Sequence, residues 1–119
     1  MTKLGGISMN EKLKKINFKK AIFFRDRGYF TVRLGERSYS IGERVRLEGL
    51  ANLDNPIGLA EVEMVLVCRL RDIPSGVLDE EHDESCRSKI GLLNKMNTYY
   101  EEKVFLDSVV TCVKLRRIN

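Results

Sequence analysis

The sequence holds a single histidine, His82, no tryptophan, two prolines and three cysteines in 119 residues. One histidine excludes a multi-histidine metal centre. His82 and Cys86 are four apart, a ligand spacing on a helix, but no second pair accompanies them. A solvated helix face is the expected reading, with no metal. There is no G-x-x-x-x-G-K-[ST] phosphate loop, no G-x-G-x-x-G fingerprint and no H-E-x-x-H. These gaps remove the common nucleotide-hydrolase, dinucleotide-binding and zinc-protease patterns, and no cofactor is expected. Cys68, Cys86 and Cys112 form no C-x-x-C pair. An odd, scattered set points to a reducing cytoplasm, with Cys68 and Cys112 as small core residues. No run is long and apolar enough to cross a bilayer, and the opening MTKLGGISMNEKLKK has no hydrophobic signal core.

What is present is an ordinary globular composition: 43% hydrophobic, 32% charged, formal net charge +4. The length predicts one domain, residues 11–119, after a loosely ordered segment at 1–10 that contains Gly5-Gly6. Lys12, Lys14 and Lys15 form a basic stretch near its start, read as a solvated face or as steering for an acidic partner. Ile16 and Phe18 alternate with polar residues, which predicts a strand. Lys19 to Asp26 reads as a short helix capped by Gly28. Residues 29–34 and 44–48 alternate as strands, with a tight corner over Ser38 to Glu43. Residues 49–58 are rich in turn formers and read as a loop. Residues 59–71 form the longest strand, long enough to expect a bulge. Pro74-Ser75-Gly76 ends it. The acidic run Asp79 to Glu84 then opens a predicted helix reaching Glu102, and residues 104–118 close the domain as a strand. Helices on the rim of a small mixed barrel or a strongly curved sheet fit this order, an α+β class.

Residues 29–34 raise the functional question. Phe30, Val32 and Leu34 alternate with Tyr29, Thr31 and Arg33. The apolar set is expected to feed the core, and the other set to face a cleft between barrel and helices. Arg44, Arg46, Arg69, Arg71, Lys114, Arg116 and Arg117 also sit on strands. Aligned in one stripe they would suit a phosphate backbone. Paired across strands with Glu48, Glu61 and Glu63 they would be a solvated face. Tyr29 and Tyr39 beside the cleft are candidates to stack on a base, whereas Tyr99 and Tyr100 read as helix-packing residues.

The run from Phe23 to Leu47 resembles the ASCH domain family of the PUA-like β-barrel superfamily. That family carries G-x-K-x-x-[ET]-x-R after a short helix, then a V-G-D corner. Here the matching positions are Asp26, Gly28, Thr31 and Arg33, with Ile41-Gly42-Glu43 at the corner. Thr31 and Arg33 match; the family glycine falls on Asp26 and the family lysine on Gly28. The resemblance covers the chain from about residue 13 onward. It implies a PUA-like fold and a cleft that binds RNA or a nucleotide, with Arg25, Arg27, Tyr29, Arg33, Tyr39, Arg44 and Arg46 as candidate contacts. It also implies a second possibility, an amidohydrolase acting on an N-acetylated cytidine. There Thr31 would be the nucleophile, with Glu80, Glu81 or Glu84 as the assisting carboxylate. A threonine hydroxyl needs a neighbouring base. Arginine stays protonated and is a poor one, so the absent lysine removes the expected activator. A module that binds another protein and no nucleotide is the third reading.

Overall fold

A computed structural model describes residues 14–18, 28–49 and 58–118. Within them, five strands form one mixed sheet: β1 (Lys14–Phe18), β2 (Tyr29–Leu34), β3 (Arg44–Gly49), β4 (Gly58–Arg69) and β5 (Val109–Arg117). Their order across the sheet is β1-β3-β4-β5-β2. Only the β1–β3 pair is parallel. The α+β class holds, but the sheet is open at β1 and β2 and does not close into the expected barrel. Sequence periodicity reports which residues share a face and leaves the pairing of distant edges unspecified.

Each strand forms where the alternation lies. On β3, Val45 and Leu47 are buried while Arg44 and Arg46 are exposed. The long β4 carries the anticipated irregularity, a register shift between Val62 and Met64. That shift turns Ala60 and Val62 toward one apolar cluster and Leu66 and Cys68 toward another. The strand ends at Arg69, where Leu70–Asp72 tighten into a 3-10 turn. The predicted corner is a β-turn in which Glu43 N donates to Ser40 O (3.0 Å). Gly42 supplies the φ of +89° that its third position demands.

Two cores flank the sheet. The first gathers Ile16, Tyr29, Val45, Leu47, Ala60, Val62, Val113 and Leu115. The second sets Phe30, Val32, Val110 and Cys112 under a helical layer that contributes Leu78, Leu92 and Met96. Phe30 and Val32 therefore meet the helices, whereas Tyr29 packs on the strand side. The expected alternation on β2 is correct and the assignment of its faces is reversed. Residues 29–32 are buried on both sides.

The helical layer is shorter than the sequence indicated. It consists of α1 (Ser75–Asp79), a 3-10 turn at Glu84–Cys86, and α2 (Lys89–Tyr99). The acidic run does not open a long helix. Asp83 accepts hydrogen bonds from Ser85 N (3.0 Å) and Ser85 Oγ (2.7 Å), which favours a turn. Glu81 pairs with Phe30 as a single parallel bridge. The N-terminus of α2 is capped by Ser88, whose Oγ accepts from Gly91 N (3.0 Å). His82 and Cys86 thus share no helix face. The closing strand starts at Val109 and not at 104, because Phe105 and Ser108 close a turn on each other. The helix expected at Lys19–Asp26, the 1–10 segment, and residues 50–57 of the expected loop lie outside the described residues.

All three cysteines join the helix-side core: Cys86 and Cys112 are buried, and Cys68 packs against the cluster. Burial pushes the Cys86 and Cys112 thiols up to about 12. At pH 8 only about one molecule in ten thousand would carry either thiolate, the form that reacts. Iodoacetamide is therefore expected to leave both unlabelled over hours in the native protein. Both should label within minutes in guanidinium, read by peptide mass. Rapid native labelling of either would contradict this packing.

Candidate functional site

β2 is an edge strand, so half of its backbone groups point away from β5. The 80–82 segment covers this edge at Phe30, whose N–H donates to Glu80 O (2.8 Å) and whose carbonyl accepts from His82 N (2.9 Å). Farther along, Leu34 N donates to the Tyr100 hydroxyl (3.2 Å). Tyr100 ends α2 with its own N–H bonded to Met96 O, so the helix sets where its ring stands. Thr31 and Arg33 lie between these two contacts.

Thr31 and Arg33 share the face that carries Val113 and Thr111, their partners across β5. Thr31 is 1% exposed, and Arg33 is half-buried. Arg33 Nε donates to Thr31 Oγ1 (3.0 Å), which fixes the guanidinium plane. Burial pushes the Arg33 pKa below its ordinary value, and the charge fields of Tyr100, Glu81 and Tyr39 oppose that shift. Arg37 works in the same direction as burial. A partly desolvated arginine held in one orientation is a ready donor to a carbonyl or phosphate oxygen.

The loop after β2 folds back over this face. Arg37 N donates to Thr111 Oγ1 (2.8 Å), and Thr111 Oγ1 donates to Gly35 O (2.7 Å). Tyr39 packs against the strand-side core, and Lys14 Nζ sits 4.8 Å from its ring centroid. Lys14 also reaches Ser38 O and Glu43 Oε2, the latter at 3.2 Å.

Of the three candidate carboxylates, Glu80 and Glu84 are exposed and Glu81 is buried. Glu81 Oε1 accepts from Asp83 N (3.1 Å) and lies 2.5 Å from His82 Nδ1. The same nitrogen is 3.3 Å from Phe30 O. Both neighbours are acceptors, so Nδ1 carries the hydrogen. Asp83 is partly desolvated, which alone would raise its pKa. The Ser85 hydrogen bonds outweigh that and hold the carboxyl below its usual range.

The absence of a lysine at position 28 has a physical explanation. A Cβ built on Gly28 would lie 2.2 Å from Glu63 Oε1 and 3.0 Å from both Cγ and Cε of Lys114. Lys114 thus crosses from β5 and fills that space. Its Nζ pairs with Glu80 Oε1 (2.9 Å) and stands 5.7 Å from the Phe30 ring centroid. Lys114 pairs with Phe30 across the strands and so lies on the sheet face opposite to Thr31.

The other predicted contacts do not converge here. Tyr29 is 4% exposed in the strand-side core, so it presents no ring face to a base. Arg44 and Arg46 lie on β3, separated from β2 by β4 and β5. Arg44 stands opposite Glu61. Arg116 pairs with Glu63 (2.9 Å), and Arg71 with Asp107 (2.5 Å). Arg69, Arg71, Lys114 and Arg116 are thus engaged by carboxylates, and Arg44 and Arg46 lie on another strand from Arg33. Arg25 and Arg27 lie outside the described residues. The sequence does not point to Thr111, to the place of Lys114 beside Gly28, or to the contact made by Tyr100. Their roles come from long-range register, which no local pattern records. Among the described residues no group of three acidic, histidine or cysteine side chains could hold a metal ion, and no helix is long and apolar enough to cross a membrane.

No protein-family model matches the chain, and no curated protein matches its sequence. Solved structures do. An ASCH domain from Lactobacillus crispatus superposes with a TM-score of 0.60 at 11% identity, over 92% of this chain and 83% of that one. A protein from Enterococcus faecalis assigned to the DUF984 family gives a TM-score of 0.59 at 10% identity. That match covers 77% of this chain but 61% of the Enterococcus protein, so the chain spans well under the length of that relative. At such identity the likeness speaks for architecture, and the open sheet with its helical layer along β2 has the fold of an ASCH domain.

Proposed function

We propose that this ASCH-like chain is a nucleic-acid-binding module that holds RNA, or a nucleotide piece of it, at the β2 edge. The observation that carries the reading is Arg33, half-buried and oriented by its bond to Thr31 Oγ1. Arg33 would donate to a phosphate or base carbonyl oxygen. Arg25 and Arg27, a few residues before β2 in sequence, would add charge along a longer strand. The cytoplasm, where RNA is abundant and thiols stay reduced, is the matching compartment.

The test is titration with cytidine monophosphate and with short single-stranded RNA, comparing the native chain with Arg33→Ala. Affinity is expected to fall about tenfold or more in the variant, the scale of one lost charge-assisted hydrogen bond. Binding of RNA should also weaken steeply with added salt. A folded Arg33→Ala protein with unchanged affinity overturns the role.

One observation favours a second reading. Glu81 is a buried carboxylate on the segment bonded to Phe30, next in sequence to Thr31. An amidohydrolase acting on an N-acetylated cytidine would need such a group near its nucleophile. Against it, Thr31 is fully covered and the nearby lysine is on the other face. Release of cytidine from acetylcytidine that disappears in Thr31→Ala would establish this reading. Neither turnover nor nucleotide affinity would leave a protein-interaction module.

A further inference from the structure

We propose that residues 36–41 form a gate over Thr31 and Arg33 and that Thr111 is its clamp. The inference rests on the β2-edge reading, since a ligand for Arg33 has to pass this segment. Thr111 is the cross-strand partner of Arg33, and Arg37 of the loop is bonded directly to its hydroxyl. The loop therefore lies over the face that holds the guanidinium. Thr31, on the same face, is 1% exposed.

The segment is built to move as a unit. Gly35 and Gly42 bracket it with φ values of +87° and +89°. Their N–H groups donate to Val109 O and Val62 O (2.8 Å each), so both ends are pinned to the sheet, while a Cβ on either would meet nothing within 4 Å. The residues between them make no helix or strand, and all but Tyr39 are exposed. Arg37 Nε donates to Leu34 O (3.0 Å) and Tyr39 packs on the strand-side core, and two further attachments tie the segment to the strands. At its base, the single Thr111 hydroxyl accepts from Arg37 N and donates to Gly35 O. At its tip, Lys14 of β1 bonds Ser38 O, pairs with Glu43 and covers Tyr39. A fully buried threonine that spends both hydrogen-bonding capacities on one loop is a clamp in the plain sense, because valine of equal shape would release both bonds.

Opening can be read without any ligand, through the rate at which phenylglyoxal modifies Arg33, followed by peptide mass. Thr111→Val is expected to raise that rate about tenfold or more, as two hydrogen bonds are lost. Thr111→Ser, which keeps the hydroxyl, should match the native rate. Lys14→Ala, an exposed change that leaves the core intact, should raise it by a smaller factor. Amide exchange at Arg37 should speed up in Thr111→Val while amides in the middle of β4 stay protected. Equal Arg33 modification in the native, Thr111→Val and Lys14→Ala proteins overturns the gate. So does a Thr111→Val effect accompanied by lost protection throughout β4, with no change in Lys14→Ala. Should Thr111→Val and Lys14→Ala speed modification while Arg33→Ala leaves cytidine monophosphate affinity unchanged, the gate stands and the nucleotide reading falls.

Discussion

Replacing Gly91 by alanine is expected to lower stability by about 2 kcal/mol, although alanine is the better helix former. Gly91 lies in the first turn of α2, where a Cβ would come 2.2 Å from the Ser85 carbonyl oxygen and 2.9 Å from Ser88 Oγ. The obstacle is backbone, and it is held. Cys86 N bonds Asp83 O, Arg87 N bonds Glu84 O, and the Asp83 carboxylate ties Ser85 N and Oγ. The 3-10 turn cannot yield without giving up these bonds, so α2 must move outward. That shift would loosen Leu92 and Met96, each 2% exposed in the helix-side core. The midpoint of thermal unfolding should fall by roughly 8 °C, given the usual few degrees per kcal/mol for a domain of this size. Gly28→Ala is the useful contrast. The 2.2 Å approach there is to the end of the Glu63 side chain, which can rotate aside. A Gly91→Ala protein as stable as the native chain would contradict the packing of α2 on the turn.

Asn97→Ala is expected to cost about 2–3 kcal/mol despite being a surface substitution on a helix. The Asn97 amide joins α2 to the segment after it. Its Nδ2 donates to Leu93 O (3.1 Å) and Val104 O (3.0 Å), and its Oδ1 accepts from Val104 N (2.8 Å). Val104 is 1% exposed, so its two main-chain groups have no route to water once the amide is removed. Asn97→Asp should not rescue. It keeps an acceptor for Val104 N but turns a second oxygen toward two carbonyls that need a donor. Thermal unfolding gives the size of the loss, and amide exchange at Val104 gives its location. A protected Val104 amide in Asn97→Ala would overturn the account.

Those two residues also mark the limit of what local pattern reveals. The strands were legible wherever burial follows period two: Val45 and Leu47 against Arg44 and Arg46, Ile16 on β1, and the bulge in a β4 too long to be regular. The Ile41-Gly42-Glu43 corner was legible because one position requires positive φ. The 79–84 acidic run has the charge of a helix start but folds as a turn, because the Asp83–Ser85 turn chemistry outweighs helix-end charge preference. Thr31 and Arg33 were found as a pair on one face, and they are in contact. Their surroundings were not legible, because Thr111, Tyr100 and Lys114 arrive from about 70 residues or more away. Tyr29 was assigned to the cleft for the same reason: alternation separates two faces without saying which covers what.

The placement of β5 between β4 and β2 has a kinetic meaning. Among the described strands, β2, at residues 29–34, pairs with residues 109–117. Until that late segment is available, an emerging chain holds β2 and the far side of β4 as two unsatisfied edges, both apolar. Nearly the whole of the domain must exist before the Arg33 face can be assembled at all. Closure over such a span places folding among the slow, non-local topologies, on the order of milliseconds to seconds. During that interval the unpaired β2 is the segment most exposed to pairing with another copy of itself.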